Sequence, residues 1–128
     1  MRQQQAMKPV VWIGSSRRDL RDFPDAAQDK IGTALQKVQY GSRPASVRTL
    51  SGFGSANVAE IRASDDGDAY RAVYTAQFAE YIFVLHAFQK KSSRGIETAK
   101  QDVEMIRTRL KLAEAAHEEL IAGQGEED

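Results

Sequence analysis

The sequence predicts a small α+β domain. A twisted, mainly antiparallel sheet of about four strands carries an N-terminal helical hairpin and a C-terminal helix. Three observations predict it. The apolar positions change period along the chain, from a short run to helical spacing, then to alternation, then back to helical spacing. An Asp-Gly pair, Asp66-Gly67, separates two alternating segments, which is a strong hairpin signal. The length, 128 residues, suits one core and not two.

Residues 1–7, MRQQQAM, read as a disordered lead. Val10-Val11-Trp12-Ile13 is a short apolar run stopped by Gly14, and reads as the first strand. Ser15 or Ser16 then caps a helix carrying Leu20 and Phe23, and Pro24 ends it. A second helix starts there and places Ala27, Ile31, Ala34, Leu35 and Val38 on one stripe, with Gly41 as its stop. Residues 42–57 read as a loop. Its Ser51-Gly52-Phe53-Gly54-Ser55 run lacks the Lys and Ser/Thr of a phosphate-binding loop and the full dinucleotide fingerprint.

Three strands follow. Asn57 to Ala63 alternates, with Val58, Glu60 and Arg62 on one side and Ala59, Ile61 and Ala63 on the other. Ala69 to Gln77 is its hairpin partner. Tyr81 to Phe88 is apolar on both faces, as a central strand is. Thr98 and Gln101 fit a capping box for the last helix, whose stripe is Ala99, Val103, Ile106, Leu110 and Ala113. That helix is expected to fray after Leu120. The domain spans 8–112, and 113–128 is a helix end with an acidic tail.

Composition removes whole classes of function. The absence of Cys excludes disulfides, thiolate metal sites and a Cys nucleophile. Two His, His86 and His117, are too few for a His-rich metal site. The acids around Gly67 lack the spacing of a calcium loop. The longest apolar run, Tyr81 to Phe88, is far short of the roughly 20 residues of a membrane span. With no charged-then-apolar leader, a cytoplasmic protein is the expectation. No Ser stands in a suggestive relation to a His, so no hydrolytic triad emerges.

The formal charge is zero, yet it is unevenly spread. Residues 1–110 hold seventeen Lys and Arg against twelve Asp and Glu, a net of +5. Residues 111–128 hold one Lys against six acids, a net of −5. A basic body with an acidic end suggests a nucleic-acid partner more readily than the total does.

One cluster of residues suggests chemistry. Arg62 and Arg71 lie on paired strands, His86 lies inside the third, and Lys90, Lys91 and Arg94 follow it. If the strands are neighbours, these groups line one sheet face and its rim. With Tyr70 or Phe88 nearby, such a face holds phosphates and stacks bases. The alternative is a solvated cationic rim around a hydrogen-bonded core histidine. A basic residue in mid-strand, as Arg71 is, needs a reason. Glu60, beside Arg62, suits a cross-strand ion pair better than a glycosidase carboxylate.

Several segments together resemble a known family. They are Ser15-Ser16-Arg17-Arg18-Asp19-Leu20, Leu50 to Gly54, Val58-Ala59-Glu60-Ile61-Arg62, Asp66 to Tyr74 with its Tyr-Arg-Ala-Val-Tyr core, Val84 to Ser92, and Gly95-Ile96-Glu97-Thr98. In this order they resemble the phage-derived HigB-type toxins of the RelE/ParE superfamily over roughly residues 8–112. Many relatives have Pro where Ala99 stands here, and the acidic tail lies outside the match.

The resemblance implies a RelE-like domain and a toxin of a type II toxin–antitoxin pair. Such toxins generally enter the ribosomal A site and cleave mRNA. The RNA's own 2′-hydroxyl attacks the adjacent phosphate, so neither metal nor cofactor is implied. By resemblance Arg71 would stabilise the charged transition state and His86 would be the acid or base. Lys90 and Lys91 would hold phosphate or assist charge stabilisation. Arg62 and Arg94 would position RNA backbone, or the basic loop would chiefly anchor the ribosome. The implied partners are a helix-turn-helix, HigA-like antitoxin, mRNA and the ribosome, with no membrane. Two rivals stand: a ParE-like gyrase inhibitor, which needs no acid–base group, and a non-catalytic phage-derived binding domain.

Overall fold

The computed structural model describes residues 7–90 and 98–126. Eight elements follow in order: β1 (Val10–Trp12), α1 (Ser16–Arg21), α2 (Asp25–Gln39), β2 (Val47–Thr49), β3 (Val58–Asp65), β4 (Asp68–Thr75), β5 (Ile82–Lys90) and α3 (Lys100–Glu126). They form an α+β fold around a five-stranded sheet of order β1-β5-β4-β3-β2. β1 runs parallel to β5, and the other pairs are antiparallel.

The expectation of about four strands is corrected to five. The added strand, β2, lies inside the segment read as a loop. It is three residues long, too short for a period to show. It forms because a turn closed by the Val47 N–H on the Pro44 carbonyl delivers the chain to the open edge of β3. The helical pair is also uneven. α1 has six residues against fifteen in α2. The Gln28 side chain seals the junction by donating to the Arg21 and Phe23 carbonyls, which α1 leaves unpaired at its end.

Alternation along β3 and β4 sorts their side chains between two cores. α1 and α2 cover one face, where Leu20, Phe23, Ile31 and Leu35 meet Ile61, Ala63, Tyr70, Ala72 and Tyr74. α3 covers the other, where Ile106 and Ala113 meet Val58, Val73, Phe83 and Leu85. A sheet buried on both faces explains why Ile82 to Leu85 of β5 are all apolar. The β3–β4 hairpin turns at Asp66 and Gly67, both at positive φ (49° and 85°), as a two-residue type I′ turn requires.

β5 contains one irregularity. Val73 pairs with His86, but its neighbour Tyr74 pairs with Val84, so Leu85 has no opposite number. This is a β-bulge. Leu85 joins the α3-side core and His86 bonds to α3, so two successive side chains serve one face. Arg109 of α3, 9% exposed, donates to the Leu85 carbonyl at 3.1 Å and to Ser15 Oγ at 3.0 Å. Ser15 Oγ in turn donates to Asp19 Oδ2 at 2.7 Å, and Ser16 Oγ donates to the Val84 carbonyl. The serines at the start of α1 therefore tie it to β5 and α3 and make no side-chain cap. Gly14 sits at φ 58°, and a Cβ there would lie 2.8 Å from Arg109 Nε.

α3 begins at Lys100, two residues after the Thr98 start read from the sequence, with the Ala99 carbonyl accepting from Val103. It continues as helix through Leu120 to Glu126, past the point where fraying is expected. Ala113 is buried and Ala116 partly so, so packing crosses the 112/113 boundary. Near its far end His117 stacks on Phe78 at 4.0 Å and bonds Glu80 at 2.7 Å. Among the described residues no helix is long and apolar enough to cross a membrane.

Replacing Arg109 with Met is expected to cost about 3 kcal/mol, because the charged donor is lost and the Leu85 carbonyl is left buried and unmet. Urea unfolding measures it, and Ser15→Ala should cost less because the Leu85 bond survives. A second expectation concerns acid. The hydrogen bond from His117, first, and a backbone hydrogen bond hold the Glu80 carboxyl below its ordinary range. A lowered folded value means stability that is present above the ordinary carboxylate pKa and lost as pH falls through the folded one. Glu80→Gln should flatten that acid-side slope in thermal melts taken between about pH 3 and 6.

Candidate functional site

The α3-facing side of β3, β4 and β5 gathers most of the candidate residues. Cross-strand register sets two adjacent rows. Arg48, Glu60, Val73 and His86 follow one another from β2 to β5. In the next row Arg62 lies opposite Arg71, and Arg71 opposite Phe88. Lys90 stands one row further, opposite Ala69, and is half-buried.

Arg71 is not on an open rim. It is 8% exposed, and its Nε lies 3.7 Å from Oε1 of Glu60, itself 3% exposed. Its Nη1 donates to the Tyr70 carbonyl. Burial pushes the guanidinium below its ordinary range, Glu60 opposes this, and the like charges of Arg62 and Arg48 add to it. Two arginines directly opposite on a sheet repel. Glu60, on the diagonal, offsets that, as the cross-strand role read from its position anticipates.

His86 is also 8% exposed. Its Nε2 lies 2.8 Å from Asp102 Oδ1 in the first turn of α3, and its ring stacks on Phe88 at 4.8 Å. An ionised carboxylate only accepts, so Nε2 donates to Asp102, and in the neutral ring Nδ1 presents its lone pair. Nδ1 is buried and has no hydrogen-bond partner among the described residues. An imidazole oriented by a carboxylate, with its second nitrogen unoccupied, can take up a proton. A neighbouring guanidinium can stabilise negative charge on a phosphate.

The structure therefore brings Arg71, His86, Phe88 and the exposed Arg62 to one face. It does not bring Tyr70 there. Tyr70 is 6% exposed on the opposite face with its ring against Phe23 at 4.8 Å, which corrects its expected place beside the cations. Lys91 and Arg94 lie outside the described residues. The sequence pattern does not mark Asp102 as a partner of His86. The available signal was its spacing: four residues before Ile106, it lies on the edge of the sheet-facing stripe. Arg48 was missed along with β2.

Glu60→Gln is expected to destabilise the fold by about 3 kcal/mol, because Arg71 is left as a buried, unbalanced cation. Adding Arg71→Met should recover much of the loss. A double-mutant cycle by urea unfolding should give a coupling of about 1–3 kcal/mol.

Comparison with known proteins adds one finding. The model of the family described as Phage derived protein Gp49-like (DUF891) matches residues 18–111, from within α1 to within α3. No curated protein and no solved structure matches the chain. The match takes in β2 to β5 and the whole α3-side row of charges, so the chain belongs to the Gp49-like phage-derived family, which is associated with RelE/ParE-type toxins of toxin–antitoxin systems.

Proposed function

We propose that the chain is the HigB-like toxin of a type II toxin–antitoxin pair, and that it cleaves mRNA on the ribosome without a metal. The observation that supports this best is the Asp102-held His86, with Nδ1 unoccupied, one row from Arg71 on the same sheet face. Asp102 fixes the ring and its tautomer. Nδ1, buried in the free protein, has to be uncovered as RNA binds; it then takes the proton of the RNA 2′-hydroxyl, and the 2′-oxygen bonds to the adjacent phosphorus. The bond from phosphorus to the 5′-oxygen breaks, leaving a 2′,3′-cyclic phosphate. The 5′-oxygen leaves with a proton from the Lys90 or Lys91 ammonium. Arg71 stabilises the extra charge on the phosphoryl oxygens in the transition state. Phe88, stacked on His86, offers a face to a base, and Arg62 and Arg94 hold backbone phosphates.

The partners are then mRNA, the ribosome and a helix-turn-helix antitoxin, acting in the cytoplasm. The antitoxin neutralises the toxin by covering the cationic face or by blocking ribosome entry. A second reading, a non-catalytic binding domain, is favoured by one observation: Arg71 and His86 are each nine-tenths buried and already paired with a carboxylate.

Induction in cells, with mapping of cut mRNA ends, separates the two. The expected result is codon-linked cuts bearing 5′-hydroxyls, and growth arrest relieved by the neighbouring antitoxin. His86→Gln should lower cleavage at least about 100-fold. Arg71→Ala and Lys91→Ala should abolish growth inhibition. Full cleavage and full toxicity in folded Arg71 and Lys91 variants would overturn the assignment. Gyrase-linked DNA breaks with intact mRNA would place the chain with the gyrase inhibitors instead.

A further inference from the structure

The Ser51-Gly52-Phe53-Gly54-Ser55 loop has no part in the chemistry above, yet it walls a half-open cleft of about 440 Å³ between the β2 edge and the start of α3. Leu50, Phe53, Val103 and Ile106 give it apolar lining, and Arg48 and Thr98 give it polar lining. The volume lies toward the small end of the roughly 300–1,000 Å³ of small-molecule sites. It has room for a flat ring with a sugar and none for a folded element.

The loop is braced. Gly52 and Gly54 take positive φ (91° and 60°), as does Asn57 (52°), which folds the segment back over α3. Arg107, on α3, donates to the Gly52 carbonyl at 3.0 Å, and its guanidinium carbon lies 4.9 Å from the centre of the Phe53 ring. Arg107 is not part of the cleft wall. It therefore holds Phe53 from outside, as a platform fixed before anything binds.

The cleft adjoins the charged rows. Arg48 lies opposite Glu60, the counter-ion of Arg71. Val103 follows Asp102, the residue that holds His86. Arg48 and Arg71 are two strand spacings and one row apart, roughly 12 Å. That is about the reach from one phosphate to the base of a neighbouring nucleotide. An apolar lining with an aromatic ring, polar side chains and one arginine suits a base with its phosphate.

We propose that this cleft seats one base of single-stranded RNA, beside the nucleotide cut at the Arg71 and His86 rows, with the base against Phe53 and its phosphate at Arg48. The inference rests on the RNA-cleaving reading for its ligand, and its test does not rest on catalysis. The full chain, labelled at Leu, Val and Ile methyls, is titrated with each 5′-nucleoside monophosphate, and separately with ribose 5-phosphate and inorganic phosphate.

The expected result is saturable shifts at the Leu50, Val103 and Ile106 methyls with one or more nucleotides, and none with the base-free phosphates. Phe53→Ala should weaken binding roughly 5- to 100-fold, and Phe53→Tyr should retain it. Should Phe53→Ala not fold, Phe53→Leu replaces it, with the same expected loss. Idle methyls with all four nucleotides, equal shifts with ribose 5-phosphate, or unchanged affinity in a folded Phe53 variant would each overturn the proposal. If the cleft binds nucleotides and no RNA is cut, the endonuclease reading falls and this one stands. If RNA is cut and the cleft stays idle, the reverse holds.

Discussion

The fold turns on a single extra residue in β5. Without the bulge at Leu85, strict alternation from Phe83 and Leu85 would send His86 toward α1 and α2. With it, Leu85 fills the α3-side core and His86 follows it onto the same face. A bulge leaves its residue out of the ladder, and the orphaned carbonyl needs a donor. Arg109 supplies one from α3 and reaches on to Ser15. One guanidinium thus fixes the height and rotation of α3 over β5 and holds the start of α1 against both. Gly14 completes the arrangement, since any side chain there would occupy the space of Arg109. The place of Asp102, two turns earlier on α3, follows from that anchoring.

Beneath the first turns of α3 the chain buries charges in pairs. An ion pair at the depth of Glu60 and Arg71 adds little net stability over a well-packed apolar pair, because desolvation offsets the Coulomb term. Placing Arg62 opposite Arg71 and Arg48 in the neighbouring row adds repulsion. Such an arrangement concentrates positive potential in a low-dielectric wall, where a bound anion would feel it most. The formal neutrality of the chain hides this. Lys and Arg supply the strands and the first half of α3, whereas Glu114, Glu118 and Glu119 are exposed on its far half, beyond the rows. The acidic segment therefore cancels the charge in the sum without cancelling it at the site.

Much of this was legible in the residues, and the failures have physical causes. The β3 alternation, the Asp66-Gly67 turn and the α2 stripe depend on local period and turn chemistry, which the sequence states directly. β2 is held by an edge and has no period of its own. Arg109 defeats a helical wheel, because a charged residue at a sheet-facing position looks outward until a carbonyl is known to await it. The bulge is invisible because an apolar strand buried on both faces has no alternation to interrupt. Tyr70 was a different failure. Successive residues of a strand face opposite ways, so Tyr70 and Arg71 could not share a surface, and alternation alone would have separated them.

The Nδ1 lone pair of His86 has no partner among the described residues, and that bears on the choice between a working site and a structural one. Leaving a buried polar atom unmet costs about 1–3 kcal/mol, and folded proteins keep few such atoms. A histidine retained only to bridge β5 and α3 through Asp102 gains nothing from a second nitrogen in that state. Stacking on Phe88 does not remove the cost, because the ring plane meets Phe88 while the lone pair points along its edge. An Asp-oriented imidazole with one nitrogen held in reserve, beside a guanidinium, suits proton transfer from the hydroxyl that attacks a phosphate ester. Under the proposed cleavage, Nδ1 would be the acceptor of that proton, which gives the unmet lone pair a use.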